Sequence, residues 1–98
     1  MIDQICDELL DVIRKYEHGV NTAQLNVVKA DLKKILKNEW VNAYVREKAL
    51  YVSEGFQRWF SARKWKQYPN CKQQIISDIA WLRSACETAF ALKTGMPG

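Results

Sequence analysis

The stretch Arg58-Trp59-Phe60-Ser61-Ala62-Arg63-Lys64-Trp65-Lys66-Gln67-Tyr68 interleaves cations with large rings and contains no acid. Two chemistries suit that pattern. Cations can take phosphates while rings stack on bases. Alternatively, cations steer the chain onto an acidic protein face, and Trp and Tyr supply contact area at little rotamer entropy. No helix-turn-helix glycine pattern, zinc finger or RNP aromatic motif accompanies the stretch. Protein docking is therefore the preferred reading and direct nucleic-acid contact the alternative. In the docking reading Arg58, Arg63, Lys64 and Lys66 steer and orient, while Trp65, Tyr68 and Tyr51 supply buried area. The Tyr68-Pro69 bond adds a separate expectation. X-Pro bonds exchange slowly between cis and trans, so an exposed Pro69 could dock a prolyl isomerase. The plainer account is a trans proline that stops a helix.

Residues suited to catalysis are few. His18 is the lone histidine and belongs near a helix end. There is no glycine-rich phosphate loop, and no Ser-His-Asp or Cys-His arrangement beyond what chance supplies. Asp7, Glu8 and Asp11 share part of one helix, where solvation accounts for them. Cys6, Cys71 and Cys86 are odd in number and sit in or beside apolar helical patterns, as reduced and mostly buried thiols do. Zinc needs about four ligands at recurring spacings, and one histidine with unpaired cysteines does not supply them. The expectation is a non-enzyme without cofactor or metal.

The elements that must position the basic and aromatic residues follow from periodicity. Ile2, Ile5, Cys6, Leu9, Ile13 and Tyr16 recur at three and four, predicting a first helix from Ile2 to His18 that Gly19 ends. Asn21 with Gln24 makes a capping-box pair, and Val20 with Leu25 a hydrophobic staple. The second stripe is Leu25, Val28, Leu32, Ile35 and Leu36, with Lys29, Lys33, Lys34 and Lys37 beside or opposite it as a solvated face. Asn38 caps a third helix or sits in a bend. From Glu39 to about Gln67 there is one glycine and no proline, predicting a long third helix kinked near Ser53-Glu54-Gly55. Tyr68-Pro69-Asn70 stops it. Asn70 caps a fourth helix with the stripe Ile75, Ile76, Ile79, Leu82, Cys86, Ala89 and Phe90, ending at Lys93-Thr94-Gly95 before a frayed tail over 95–98. Short connections make neighbours antiparallel, so the fold class is all-α: a small bundle of about four helices.

Composition agrees. The chain has 98 residues, 48% hydrophobic and 27% charged, which suits a single globular domain over 1–98. No apolar run approaches the roughly 20 residues of a membrane span. The acids early after Met1-Ile2 do not fit a signal peptide, so a cytoplasmic location without membrane contact is expected. The net charge is +4, with acids concentrated in the first helix and cations in the middle. Such a dipole suits an acidic partner.

The third helix carries the most information. Val41, Val45, Val52, Phe56, Trp59 and Phe60 form its core arc. Trp40, Tyr44, Tyr51, Arg58, Ala62 and Trp65 form an adjoining aromatic arc with one cation. Together they cover more circumference than one neighbouring surface needs. Either several helices wrap this one, or some rings stay exposed as a binding surface.

In length, in the basic aromatic stretch Arg58–Tyr68 and in the loop Tyr68-Pro69-Asn70-Cys71, the chain resembles the anti-RecBCD proteins that temperate phages use to modify a host enzyme. The resemblance implies binding to the host recombination helicase–nuclease, a larger host complex, and altering its activity without catalysis by this chain. It also implies a host isomerase as the partner for Pro69. An immunity-type bundle is a third reading; such bundles present an acidic face to a basic toxin, and here only the first helix is acidic.

Overall fold

A computed structural model describes residues 2–15, 21–59 and 71–94. They form four helices: α1 (Ile2–Lys15), α2 (Thr22–Leu36), α3 (Ala43–Arg58) and α4 (Cys71–Thr94). Among the described residues there is no strand, and no helix is long and apolar enough to cross a membrane.

Local chemistry sets the helix ends. The Asn21 side chain accepts from the Gln24 amide (3.1 Å), and the Gln24 side chain accepts from the Asn21 amide (2.8 Å). The capping box is therefore complete, with two otherwise orphaned donors satisfied. At the far end the Asn38 side-chain amide donates to the carbonyls of Lys34 (3.2 Å) and Ile35 (2.9 Å). Asn38 thus closes α2 rather than opening the next helix. Asn42 opens it, accepting from the Val45 amide at 2.9 Å. The start expected at Glu39 moves to Ala43 because the asparagine that faces free N–H groups is Asn42, and residues 37–42 are spent on the turn.

The expected run to Gln67 also changes. Helical hydrogen bonding passes unbroken through Gly55, but α3 closes at Arg58, where Trp59 turns to φ −91°, ψ 10°. Trp59 is buried, its ring 6.3 Å from that of Phe56. The rest of the expected helix, residues 60–67, lies outside the described residues. So do Tyr16 to His18 of the expected first helix, its expected stop Gly19, the expected staple residue Val20, the expected cap Asn70 and the tail over 95–98.

The helices close into a ring in which each touches two others: α1 with α2, α2 with α3, α3 with α4, and α4 with α1. Along α3 and α4 the contacts run in opposite directions, Trp40 meeting Phe90, Lys48 meeting Trp81 and Gly55 meeting Ile75. The core at the centre draws on all four helices through Ile5, Leu9 and Ile13, Val28 and Ile35, Val45, Val52 and Phe56, and Ile75, Ile79 and Leu82. The predicted stripes supply nearly all of it. Ile76 and Phe90 depart from expectation: they are 38% and 46% exposed. Four antiparallel helices leave four outward grooves, and each has its own chemistry.

Candidate functional site

The groove between α3 and α4 carries the aromatic surface. Tyr44, Lys48 and Tyr51 follow one another at helical spacing on the α4-facing flank of α3. Trp81 comes from α4. Lys48 is 8% exposed, yet among the described residues it forms no ion pair. Its ammonium lies instead over three rings, 4.9 Å from the centroid of Tyr44, 5.1 Å from Tyr51 and 4.3 Å from Trp81. Each ring face is electron-rich, so each contact is attractive. The lysine stem runs along apolar surface while the head stays among the rings. The rings themselves remain open to solvent: Tyr44 is 54%, Tyr51 38% and Trp81 57% exposed.

Polar groups hold this cluster in place. The Tyr51 hydroxyl donates to Glu47 at 3.0 Å. That carboxylate favours the protonated phenol and holds it above the ordinary tyrosine value. Asp78, almost fully buried, accepts from the Gln74 side chain at 3.1 Å. Arg58 is exposed on the same flank and pairs with Glu54 at 3.9 Å. The result is a plate of rings held around a cation, with hydrogen-bonding hydroxyls at its edge.

Of the residues expected to form the site, Tyr51 and Arg58 are exposed about two turns apart on one flank of α3. Arg63, Lys64, Trp65, Lys66, Tyr68 and Pro69 lie outside the described residues. Tyr44, from the predicted aromatic arc, belongs to the surface as well. Trp40 does not: it is half-buried in the α2–α3 link and packs edge-on against Phe90, centroids 6.1 Å apart at 88°. Sequence reasoning missed Lys48 and Trp81. Lys48 counted only as a charge, and Trp81 belongs to a different helix. A signal was available for Trp81, a large ring one residue ahead of the core position Leu82.

The other grooves differ. Between α1 and α4, Arg83 pairs with Asp7 at 2.9 Å and with Asp3 at 3.5 Å. The Asp7 contact in turn pushes the guanidinium further into its charged form. Beneath it Cys6 and Cys86 are free and buried; burial raises both thiols, Cys86 to about 12. Neither has the character of a nucleophile at neutral pH. Between α1 and α2, Asp31 is 3% exposed, and burial together with the neighbouring Glu8 carboxyl pushes it up. Lys34, 3.7 Å away, pulls it the other way. Compared with family profiles, curated proteins and solved structures, the chain finds no match.

Proposed function

We propose that this chain is a non-enzymatic modulator that docks on a larger protein through the aromatic surface of α3 and α4 together with the basic stretch Arg58–Tyr68. One observation carries the reading: Tyr44, Tyr51 and Trp81 are exposed together, and a shared lysine already holds them in place. Trp, Tyr and Arg dominate binding hot spots because they bury large areas with few rotatable bonds. Rings ordered before binding lose less entropy when a partner covers them. Arg58, paired with Glu54, stands beside them and opens the stretch Arg58–Tyr68, whose further cations Arg63, Lys64 and Lys66 can orient an acidic partner.

The finer proposal is a nucleic-acid-processing enzyme of a phage host, the recombination helicase–nuclease, as the partner; the sequence resemblance supports it. The second reading is a nucleic-acid-binding accessory protein, which the basic stretch Arg58–Tyr68 supports.

The test is co-purification with the purified helicase–nuclease and a nuclease assay, using the intact chain, a Tyr51→Ala/Trp81→Ala variant and an Arg63, Lys64, Trp65 triple-alanine variant. Circular dichroism checks that each is folded. Binding by the intact chain that the ring variant weakens at least roughly tenfold, about 1.4 kcal/mol, is the expected result. Undiminished binding by the ring variant removes this surface from the interface. Tight gel-shift binding to random DNA or RNA without the enzyme favours the second reading.

A further inference from the structure

The groove between α2 and α3 has a different lining from the aromatic plate. Its floor is aliphatic: Leu32 and Ala49 are buried, Leu36 half-buried, and Leu50 stands 55% exposed. Its rim is cationic, with Lys29 and Lys33 on α2 and Arg46 on α3. The cavity measures about 480 Å³, and among the described residues no acid lines it. None of the three rim cations forms an ion pair among the described residues. Elsewhere Arg14, Lys34, Arg58 and Arg83 each have a carboxylate. Unneutralised cations therefore border an apolar trough that contains an exposed leucine.

We infer that this groove is a docking site for an acidic amphipathic helix of a partner protein, aliphatic residues seated on Leu32, Leu36 and Leu50 and carboxylates meeting Lys29, Lys33 and Arg46. The chemistry selects among occupants. A nucleic acid would use the cations but leave the aliphatic floor unused, since among the described residues the groove offers no ring on which a base can stack. A helix uses both. Two antiparallel helices present a trough into which a third packs by ridges and grooves. From Lys29 to Leu36 the trough spans about 10 Å of helix axis, so about two turns of partner helix fill it. Leucines at i, i+3, i+4 and i+7 face the floor, and glutamates on both flanks reach the rim. This site does not depend on the α3/α4 surface: the two lie on opposite flanks of α3, and each can be removed separately.

The test uses a defined probe. A fluorescein-labelled helical peptide of four leucines in that spacing with glutamates on the flanks is titrated into the intact chain and followed by fluorescence anisotropy. Amide shifts of the isotope-labelled protein locate the binding. A matched peptide with lysine for glutamate, another with serine for leucine, and a single-stranded oligonucleotide are run beside it. The expected result is saturable binding of the acidic peptide, with shifts concentrated on residues 29–36 and 46–53. Lys29→Glu/Lys33→Glu weakens it by roughly tenfold or more, about 1.4 kcal/mol. Leu50→Ser also weakens it, at a position too exposed to threaten folding. Lys15→Glu/Lys93→Glu, an equal charge change at exposed positions elsewhere, leaves it within about twofold. Equal losses in the two charge variants, indifference to Leu50→Ser, or tighter binding of the oligonucleotide at the same residues each overturn the proposal. So does concentration-dependent self-association that Leu50→Ser abolishes, because the occupant is then a second copy of the chain. Loss of the α3/α4 surface by Tyr51→Ala/Trp81→Ala leaves peptide binding unchanged.

Discussion

Asp31 is the residue most at odds with its surroundings. It is buried in α2, its Oδ2 has no hydrogen-bond partner among the described residues, and a second carboxyl, Glu8, stands beside it. Burial, then Glu8, raises its pKa, so the folded chain takes up a proton at a pH where the unfolded chain is still ionised. Where the native state binds more protons, stability rises as pH falls. The contribution of Asp31 is thus least at neutral pH, grows as pH drops through the raised folded value, and is complete below the unfolded value of about 3.9. Asp31→Asn keeps the shape and removes the charge. Urea unfolding should show the variant more stable than the parent at pH 7, with the difference shrinking towards pH 4; a variant less stable at pH 7 would mean that Lys34 outweighs the burial. Lys48 shows the opposite solution to a buried charge. It is satisfied by three ring faces, and in exchange the rings are held in one arrangement.

At the scale of elements, Gly55 decides how closely α3 approaches α4. A Cβ there would lie 2.9 Å from Cγ1 of Ile75, which is fully buried. Gly55→Ala gains about 1 kcal/mol of helix propensity but forces two helices apart, at about 1–3 kcal/mol. The expected outcome is net destabilisation in a denaturant melt. In an Ile75→Ala background the obstruction is gone, and the same alanine should become neutral or stabilising. Additive effects would show that Gly55 has no packing role. The α2 capping box is a local device and gives a local expectation. Asn21→Ala loses the side chain's hydrogen bond to the Gln24 amide and should cost about 1 kcal/mol. Serine at that position should restore most of it.

At the scale of the molecule, the described residues form a ring of four helices, and the α4–α1 contact closes it. Arg83 bridges that seam to Asp3 and Asp7, but its side chain is 33% exposed and theirs 79% and 68%. Such pairs contribute about 0–1 kcal/mol and are screened by salt. Arg83→Met retains the stem packing and should lower stability by at most about 1 kcal/mol at low salt, with the difference fading near 1 M salt. A salt-independent loss would show that the seam depends on packing rather than charge. The charge asymmetry acts at this scale too: an acidic α1 is partly neutralised at its own seam, while Lys29 and Lys33 of α2 and Arg46 of α3 face outward. Association kinetics should follow those cations.

The four helices, the capping box of α2 and most of the buried stripes were legible in the residues alone, whereas the bounds of α3 and its cap Asn42 were not. Periodicity and capping are local: a stripe at three and four, or an asparagine three residues before a glutamine, acts within one or two turns whatever the neighbours do. So Leu9, Val28, Val52, Phe56 and Leu82 could be placed in the core before any fold was known. Which flank of one helix meets which flank of another depends on the order and sides of four packed cylinders, which no local pattern encodes. Only the tertiary structure could therefore bring Trp81 to Lys48, bury Asp31 beside Glu8, and turn a lysine run that reads as a solvated face into one rim of an aliphatic groove.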